Sequence, residues 1–274
     1  MVTVEALPTV EWRAPDAFGV EDVSFRIADA GQSAPSGRNF VLVKTREMIE
    51  RYERLIDSLR PRHVVELGIY EGGSAAFFAL RGRPAKLVAL DIKSEPSAGL
   101  EQFINERRLQ DRVRTHYSFD QADDARLHRL VADEFGAAPL DLVIDDASHS
   151  LEPTRASFNT LFPRLRPGGV FVIEDWSKLH KLDAAFAARA RVDVDFRQRL
   201  AERAGTDRVT EAPLSLLLLQ LVVASAYAPE LIAEIVIADG WAHVVRGDGP
   251  VDPGRFDLRG LYTDAAGRLI ARTP

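Results

Sequence analysis

The sequence predicts a doubly wound α/β fold whose mostly parallel sheet ends in an antiparallel hairpin. Three observations carry that expectation. Short Val/Ile/Leu-rich runs recur at 63–67, 86–91, 112–116, 140–145 and 170–174, continuously apolar as strands buried on both faces are. Helix-length stretches separate them, and parallel neighbours require such crossovers. Beyond them, 233–237 and 240–245 flank Ala238-Asp239-Gly240 as a hairpin would.

Taken in order, residues 1–42 are rich in Pro, Gly and Asp without a sustained period, so an irregular arm is expected there, with at most short strands such as Val23–Ile27. From residue 43 the apolar positions Met48, Ile49, Tyr52, Leu55, Ile56 and Leu59 recur at three- and four-residue steps, an amphipathic helix that Pro61 ends. Helices are also expected at 74–80, 99–108, 122–135 and 153–165. The rhythm then breaks. Residues 177–210 are Ala-, Arg- and Asp-rich without a strong apolar stripe and are expected to form a lid-like insertion, and 213–227 reads as a buried helix. The main domain is therefore placed at 43–247, with 248–274 as a tail.

Composition narrows the functional classes. With 46% hydrophobic and 28% charged residues the 274-residue chain has an ordinary globular balance. A net charge of -6 argues against a nucleic-acid partner, and the absence of cysteine removes thiolate metal sites and cysteine nucleophiles. Residues 1–10 lack the basic and apolar regions of a secretory signal, so a cytoplasmic location is expected. The apolar run 214–228 is broken by Ser215, Gln220 and Ser225, so no membrane span is expected.

Ligands of doubly wound sheets bind beyond the carboxyl ends of the strands, where strand order reverses. The first strand-to-helix turn, Glu66-Leu67-Gly68-Ile69-Tyr70-Glu71-Gly72-Gly73-Ser74, falls there. Its glycines permit close backbone approach, and the amides at a helix N-terminus can hold a carboxylate. The spacing departs from the dinucleotide Gly-x-Gly-x-x-Gly and lacks the Lys-Ser/Thr of a phosphate loop, which disfavours a nicotinamide oxidoreductase. Asp91, ending the next strand, is placed to accept both hydroxyls of a ribose. Asp120 and Gln121, beyond the third strand, either meet an adenine edge or simply cap the following helix.

The fourth and fifth strands end in Asp145-Asp146-Ala147-Ser148-His149 and Glu174-Asp175-Trp176. Carboxylate pairs on adjacent strand tips suit a hard cation, whose charge removes their mutual repulsion. Alternatively, Asp145 and Asp175 cap helices and His149 bonds a backbone carbonyl. Trp176 is either a wall of the pocket or an ordinary core or rim aromatic.

Glu66 to Ser74, Asp91 and the terminal hairpin resemble class I S-adenosylmethionine-dependent methyltransferases, over roughly residues 43–247. The resemblance implies a Rossmann-like sheet of seven strands, with Glu66 orienting the methionine amino end through the loop. By the same resemblance Gly68, Tyr70 and Ser74 line the methionyl moiety and Asp91 holds the ribose. Gly72 and Asp145 join the cofactor-facing set. Asp-Asp-x-Ser-His followed by Glu-Asp is similar to the Mg2+-dependent sugar O-methyltransferases of macrolide biosynthesis, the mycinamicin type, and to their cephalosporin hydroxylase-like relatives. That likeness implies Asp146, Glu174 and Asp175 as ligands of Mg2+ or another divalent cation, and His149 as general base. It further implies a small hydroxylated substrate, most naturally a sugar of a glycosylated natural product, and it is compatible with a homo-oligomer. The macrolide enzymes carry a separate N-terminal domain with no counterpart expected here, so substrate identity does not transfer. Two other readings stay open: a metal-independent methyltransferase of the same fold acting on a phenol or carboxylate, and a non-catalytic S-adenosylmethionine-binding protein. An iron-dependent hydroxylase is disfavoured by the missing two-histidine triad.

Overall fold

The structure, a computed structural model, describes residues 6–28, 35–181, 212–264 and 266–270. The chain opens with β1 (Glu11–Ala14), β2 (Ala17–Val20), β3 (Val23–Ile27) and β4 (Asn39–Leu42), then α1 (Arg46–Leu59), β5 (His63–Leu67), α2 (Gly73–Arg81), β6 (Lys86–Leu90) and α3 (Ala98–Glu106). It continues through β7 (Val113–His116), α4 (Asp124–Phe135), β8 (Leu140–Asp145), α5 (Leu151–Leu161) and β9 (Leu165–Glu174). Helix α6 (Ser215–Tyr227) and the hairpin β10 (Ile232–Ala238) and β11 (Trp241–Arg246) complete the regular elements.

Seven strands form the main sheet in the order β10-β11-β9-β8-β5-β6-β7. The pairs from β9 to β7 are parallel, whereas β11 runs antiparallel to both of its neighbours. Because successive residues of a strand face opposite sides, Val64, Leu142 and Ile144 pack towards α1, α2 and α3, while Val65, Leu67 and Val143 pack towards α4, α5 and α6. β5 lies between β6 and β8, so the chain leaves it in opposite directions on the two faces. The crevice above its tip is the switch point.

The described residues between 11 and 42 are not an irregular arm. They form a second sheet, β1-β2-β3-β4, with β4 parallel to β3. Its alternate aromatics explain why a Pro- and Gly-rich stretch orders: Phe18 and Phe25 stack at 5.1 Å, both meet Phe77 of α2 edge-on, and Phe40 meets Phe103 of α3 at 5.8 Å. Glycine at position 73 allows β4 to cross close to α2, since a Cβ there would lie 2.4 Å from the Val41 carbonyl oxygen. Consequently β4 delivers Lys44 directly to the crevice. Thr45 then caps α1, accepting from the Met48 amide at 3.3 Å.

Two further expectations change. β9 begins at Leu165 rather than 170, because Leu165 already pairs with Leu140 and the Pro167-Gly168-Gly169 stretch is absorbed as an irregularity. Helix α6 buries Leu217, Leu218, Leu221 and Ala224 yet leaves Leu219 and Val222 exposed, so one stripe rather than the whole helix is buried. The tail docks through Leu258, whose amide donates to Asn159 of α5 at 3.0 Å. The lid expected over 177–210 lies outside the described residues beyond 181. Among the described residues no helix is long and apolar enough to cross a membrane.

Candidate active site

A cavity of about 620 Å³ opens over the tips of β5, β6, β8 and β9, within the size range of small-molecule sites. Gly68, Ile69 and Tyr70 of the glycine turn line it, together with Gly73 and Ser74. Gly68 has φ +96°, and a Cβ there would lie 2.2 Å from the carbonyl oxygen of Asp146, so the glycine turn and the acid loop press together as no other residue would allow. Asp91 shapes this turn: Oδ2 accepts the Ile69 and Tyr70 amides, each at 2.8 Å, and Oδ1 accepts the Lys93 amide at 2.9 Å. Tyr70 at φ 49°, His149 at φ 55° and Asp175 at φ 54° are non-glycine residues in left-handed backbone around this one cavity. Strain of that kind persists where surrounding structure fixes it and clusters at functional sites.

Glu66 lies beneath the loop, buried, with Oε2 unpartnered among the described residues. Burial pushes its carboxyl up to about 8, against the opposing effects of the Ser74 hydroxyl and Lys44. The folded state therefore retains a proton that the unfolded chain has released. The stability this contributes is present in acid and is lost as pH rises from the ordinary carboxylate range through about 8. Glu66→Gln, neutral throughout, should melt roughly 2–4 °C above the parent at pH 8 while matching it near pH 5. Thermal unfolding curves that shift equally at both pH values would contradict this account.

The expected cofactor-side residues divide. Gly68, Tyr70, Ser74, Asp91, Asp120 and Gln121 line the cavity. Gly72, at φ +85°, instead packs on Leu100 and shapes the turn. Gln121 is largely committed elsewhere: Nε2 donates to Asp145 Oδ2 at 3.0 Å and Oε1 accepts the Ser148 amide at 3.0 Å, which ties the adjacent loops together. Asp120 Oδ1 accepts the Ala122 amide at 2.8 Å. Asp145 does not reach the cavity. Its carboxylate turns into the α5 side, where Ser157 donates to it at 2.6 Å, and burial raises it to about 6. Asp145 ends β8 facing Ser157 of α5, whereas Asp146 follows in the loop that lines the cavity.

The acid cluster is also arranged differently from expectation. Ligand atoms of Asp146, His149 and Asp175 lie within 4.8 Å of one another and can surround a cation. Glu174, expected in that set, is instead buried behind it. Lys44 Nζ lies 2.7 and 2.6 Å from its two oxygens and 2.8 Å from Asp146 Oδ2, and the Tyr52 hydroxyl donates to Glu174 Oε1. Burial works against the Lys44 ammonium, but the facing Asp146 and Glu174 carboxylates outweigh it and hold it above the usual lysine value. One ammonium cannot neutralise two carboxylates, so burial and Asp146 together push Glu174 up to about 7. The remaining negative charge, and the half-buried Asp175 beside it, fit a dication.

His149 Nε2 sits 3.9 Å from Asp175 Oδ2. Burial lowers its imidazole below the ordinary value, with Asp146 opposing, so it is neutral near pH 7. Trp176 is no pocket wall: its indole N–H donates to the Ala238 carbonyl at 2.8 Å and pins β9 to the hairpin. Lys44 and Tyr52 escape a reading of the sequence because each looks like part of an amphipathic segment. The available signal for Lys44 is a lysine that closes the apolar run Phe40-Val41-Leu42-Val43 directly before a helix cap.

The seven-strand order, the antiparallel hairpin and the glycine turn gripped by an acid from the neighbouring strand define a class I methyltransferase fold. Residues 65–176 match the family described as a methyltransferase domain. The chain is similar to sugar O-methyltransferases of glycosylated polyketides. It is 34% identical over 162 residues to 8-demethyl-8-alpha-L-rhamnosyl tetracenomycin-C 2'-O-methyltransferase of Streptomyces olivaceus, covering 55% of this chain and 39% of that protein. It is 50% identical over 64 residues to mycinamicin VI 2''-O-methyltransferase of Micromonospora griseorubida, covering 23% of this chain and 15% of that one. The chain thus spans well under half the length of these curated relatives. Among solved structures, the MycE methyltransferase of the mycinamycin pathway, in complex with Mg, SAH and mycinamycin VI, superposes with a TM-score of 0.48 at 27% identity over 74% of this chain and 51% of that one.

Proposed function

We propose that the protein is a metal-dependent O-methyltransferase that moves a methyl group from S-adenosylmethionine to a hydroxyl of a small molecule, a sugar of a glycosylated natural product. The observation that carries this reading is one cavity with an acid-held glycine turn on one side and Asp146, His149 and Asp175 on the other. When bound, the sulfonium supplies an activated methyl, and a divalent cation lowers the pKa of a hydroxyl oxygen and orients it.

The chain's own residues supply the rest. The amides around Ser74 hold the methionyl carboxylate and Asp91 accepts the ribose hydroxyls of the cofactor. Leu90, Ile69 and Phe119 give that half of the cavity apolar walls, which keep water from the reacting centre. Asp146 and Asp175 hold the cation. Mg2+ keeps several waters and is commonly bound through one or two carboxylates plus substrate oxygens, so this pair suffices without Glu174. Imidazole is a poor Mg2+ ligand, which leaves the neutral His149 Nε2 to take the proton that the acceptor hydroxyl gives up. A substrate with vicinal hydroxyls suits this arrangement, because two oxygens can chelate one ion. The reading places the catalytic unit over 43–247, in the cytoplasm, without a nucleic-acid partner.

The test is methyl transfer from labelled S-adenosylmethionine to a panel of glycosides, catechols and glycosylated natural products, with Mg2+ or with a chelator. Transfer to glycosides that the chelator abolishes is expected. Chelator-resistant transfer to a phenol or carboxylate would replace this reading with the metal-independent one, and binding without transfer would leave a cofactor-binding protein.

A further inference from the structure

Lys44 occupies an unusual place. Its ammonium lies between the Asp146 carboxylate and both oxygens of Glu174, at 2.6–2.8 Å, the way an oxygen-liganded ion would sit among two acids. Lys44 and Glu174 are both buried, and Tyr52 of α1 adds a third contact on Glu174. The lysine is firmly delivered: β4 before it is paired in parallel with β3, and Thr45 after it caps α1. Asp175, by contrast, is only half-buried and faces His149 across the outer edge of the same cluster.

We propose that Lys44 is the resident cation of the Asp146 and Glu174 pair, a positioning residue that withdraws Glu174 from divalent-ion binding and confines that ion to Asp146 and Asp175. The inference rests on the metal-dependent reading of this site. An ammonium fixed against Glu174 both fills its oxygens and repels a second cation at short range. Asp146, shared between the two positions, accepts Lys44 at Oδ2, and its Oδ1 is the oxygen this assignment gives to the ion. Removing the lysine should therefore convert Glu174 into a ligand.

Mn2+ affinity of the full chain, measured by the electron paramagnetic resonance of free Mn2+, tests this without turnover. The comparison is a double-mutant cycle of Lys44→Met and Glu174→Gln, with Asp146→Asn as reference. Lys44 and Glu174 touch and share Asp146, so their effects are not expected to add, and the sign of the coupling decides. If Glu174 only neutralises the ammonium, Glu174→Gln weakens binding more when Lys44 is present. The proposal requires the opposite sign: Glu174→Gln should weaken Mn2+ binding about tenfold more when Lys44 is methionine than when it is present. Equal effects in the two backgrounds, or a larger one when Lys44 is present, would overturn it. Lys44→Met leaves a buried carboxylate without its cation and can fail to fold. In that case the comparison within the lysine-bearing chain decides: Mn2+ retained by Glu174→Gln but lost by Asp146→Asn supports the assignment, and loss in both overturns it. A parent chain that binds no Mn2+ would instead fail the metal-dependent reading. There, Mn2+ binding gained by Lys44→Met would still support Lys44 as the resident cation, and no gain would overturn it.

Discussion

Replacing Asp91 with alanine should weaken S-adenosylmethionine binding by about 3 kcal/mol, a factor of ~100 in the dissociation constant, while the protein stays folded. The effect is large because the carboxylate acts twice. It accepts the Ile69 and Tyr70 amides at 2.8 Å, which sets the path of the glycine turn, and in the proposed function it also receives the ribose hydroxyls. Hydrogen bonds to an ionised group contribute roughly 1.5–3 kcal/mol each, and losing two on the protein side also frees the turn that must receive the methionyl end. Asp91→Asn separates the two effects, since it keeps an acceptor oxygen of the same reach without the charge. It should fall between the parent and the alanine variant. Calorimetry with the demethylated cofactor product provides the measurement, and an unchanged affinity in Asp91→Ala would remove both the ribose assignment and the role given to the turn.

The parallel core was legible because strands buried on both faces and separated by crossovers leave a pattern no other architecture produces. His63–Leu67 and Leu140–Asp145 were readable to the residue. The second sheet was not. Its strands are four or five residues long, and their order depends on Phe18, Phe25 and Phe40 finding Phe77 and Phe103 far along the chain, which no local period records. The same limitation applies to the site. Asp91 and the glycine turn are neighbours through adjacent strands and could be paired from topology alone. Lys44 meets Glu174 from 130 positions away by way of that unforeseen sheet, so the acid cluster was read without its counter-ion. Asp145 was misplaced for a simpler reason: it ends β8 with its carboxylate held by Ser157 of α5, and the cavity-lining loop begins only at Asp146.

Asp146 and His149 stand three residues apart on one loop, yet their removal should fail in opposite ways. Asp146→Asn should abolish metal-stimulated turnover and weaken Mn2+ binding, because the proposed function has this carboxylate join Asp175 in holding the ion. His149→Ala should remain metal-replete and slow, losing roughly 10²–10⁴-fold in rate, the usual contribution of a general base. The pH profile carries the distinguishing sign. Burial lowers the His149 imidazole below its ordinary value, so the base is protonated and idle in acid, and the rate should rise with pH along a limb lying on the acid side of about 6.5. That limb should disappear in His149→Ala, whose residual rate no longer depends on an imidazole. Burial supports the assignment further, since Nδ1 is enclosed without a partner among the described residues and Nε2 faces the acids across the cavity edge. Loss of Mn2+ on removal of His149, with Mn2+ kept on removal of Asp146, would reverse the two roles. An unaltered acid limb in His149→Ala would show that the proton leaves by another group.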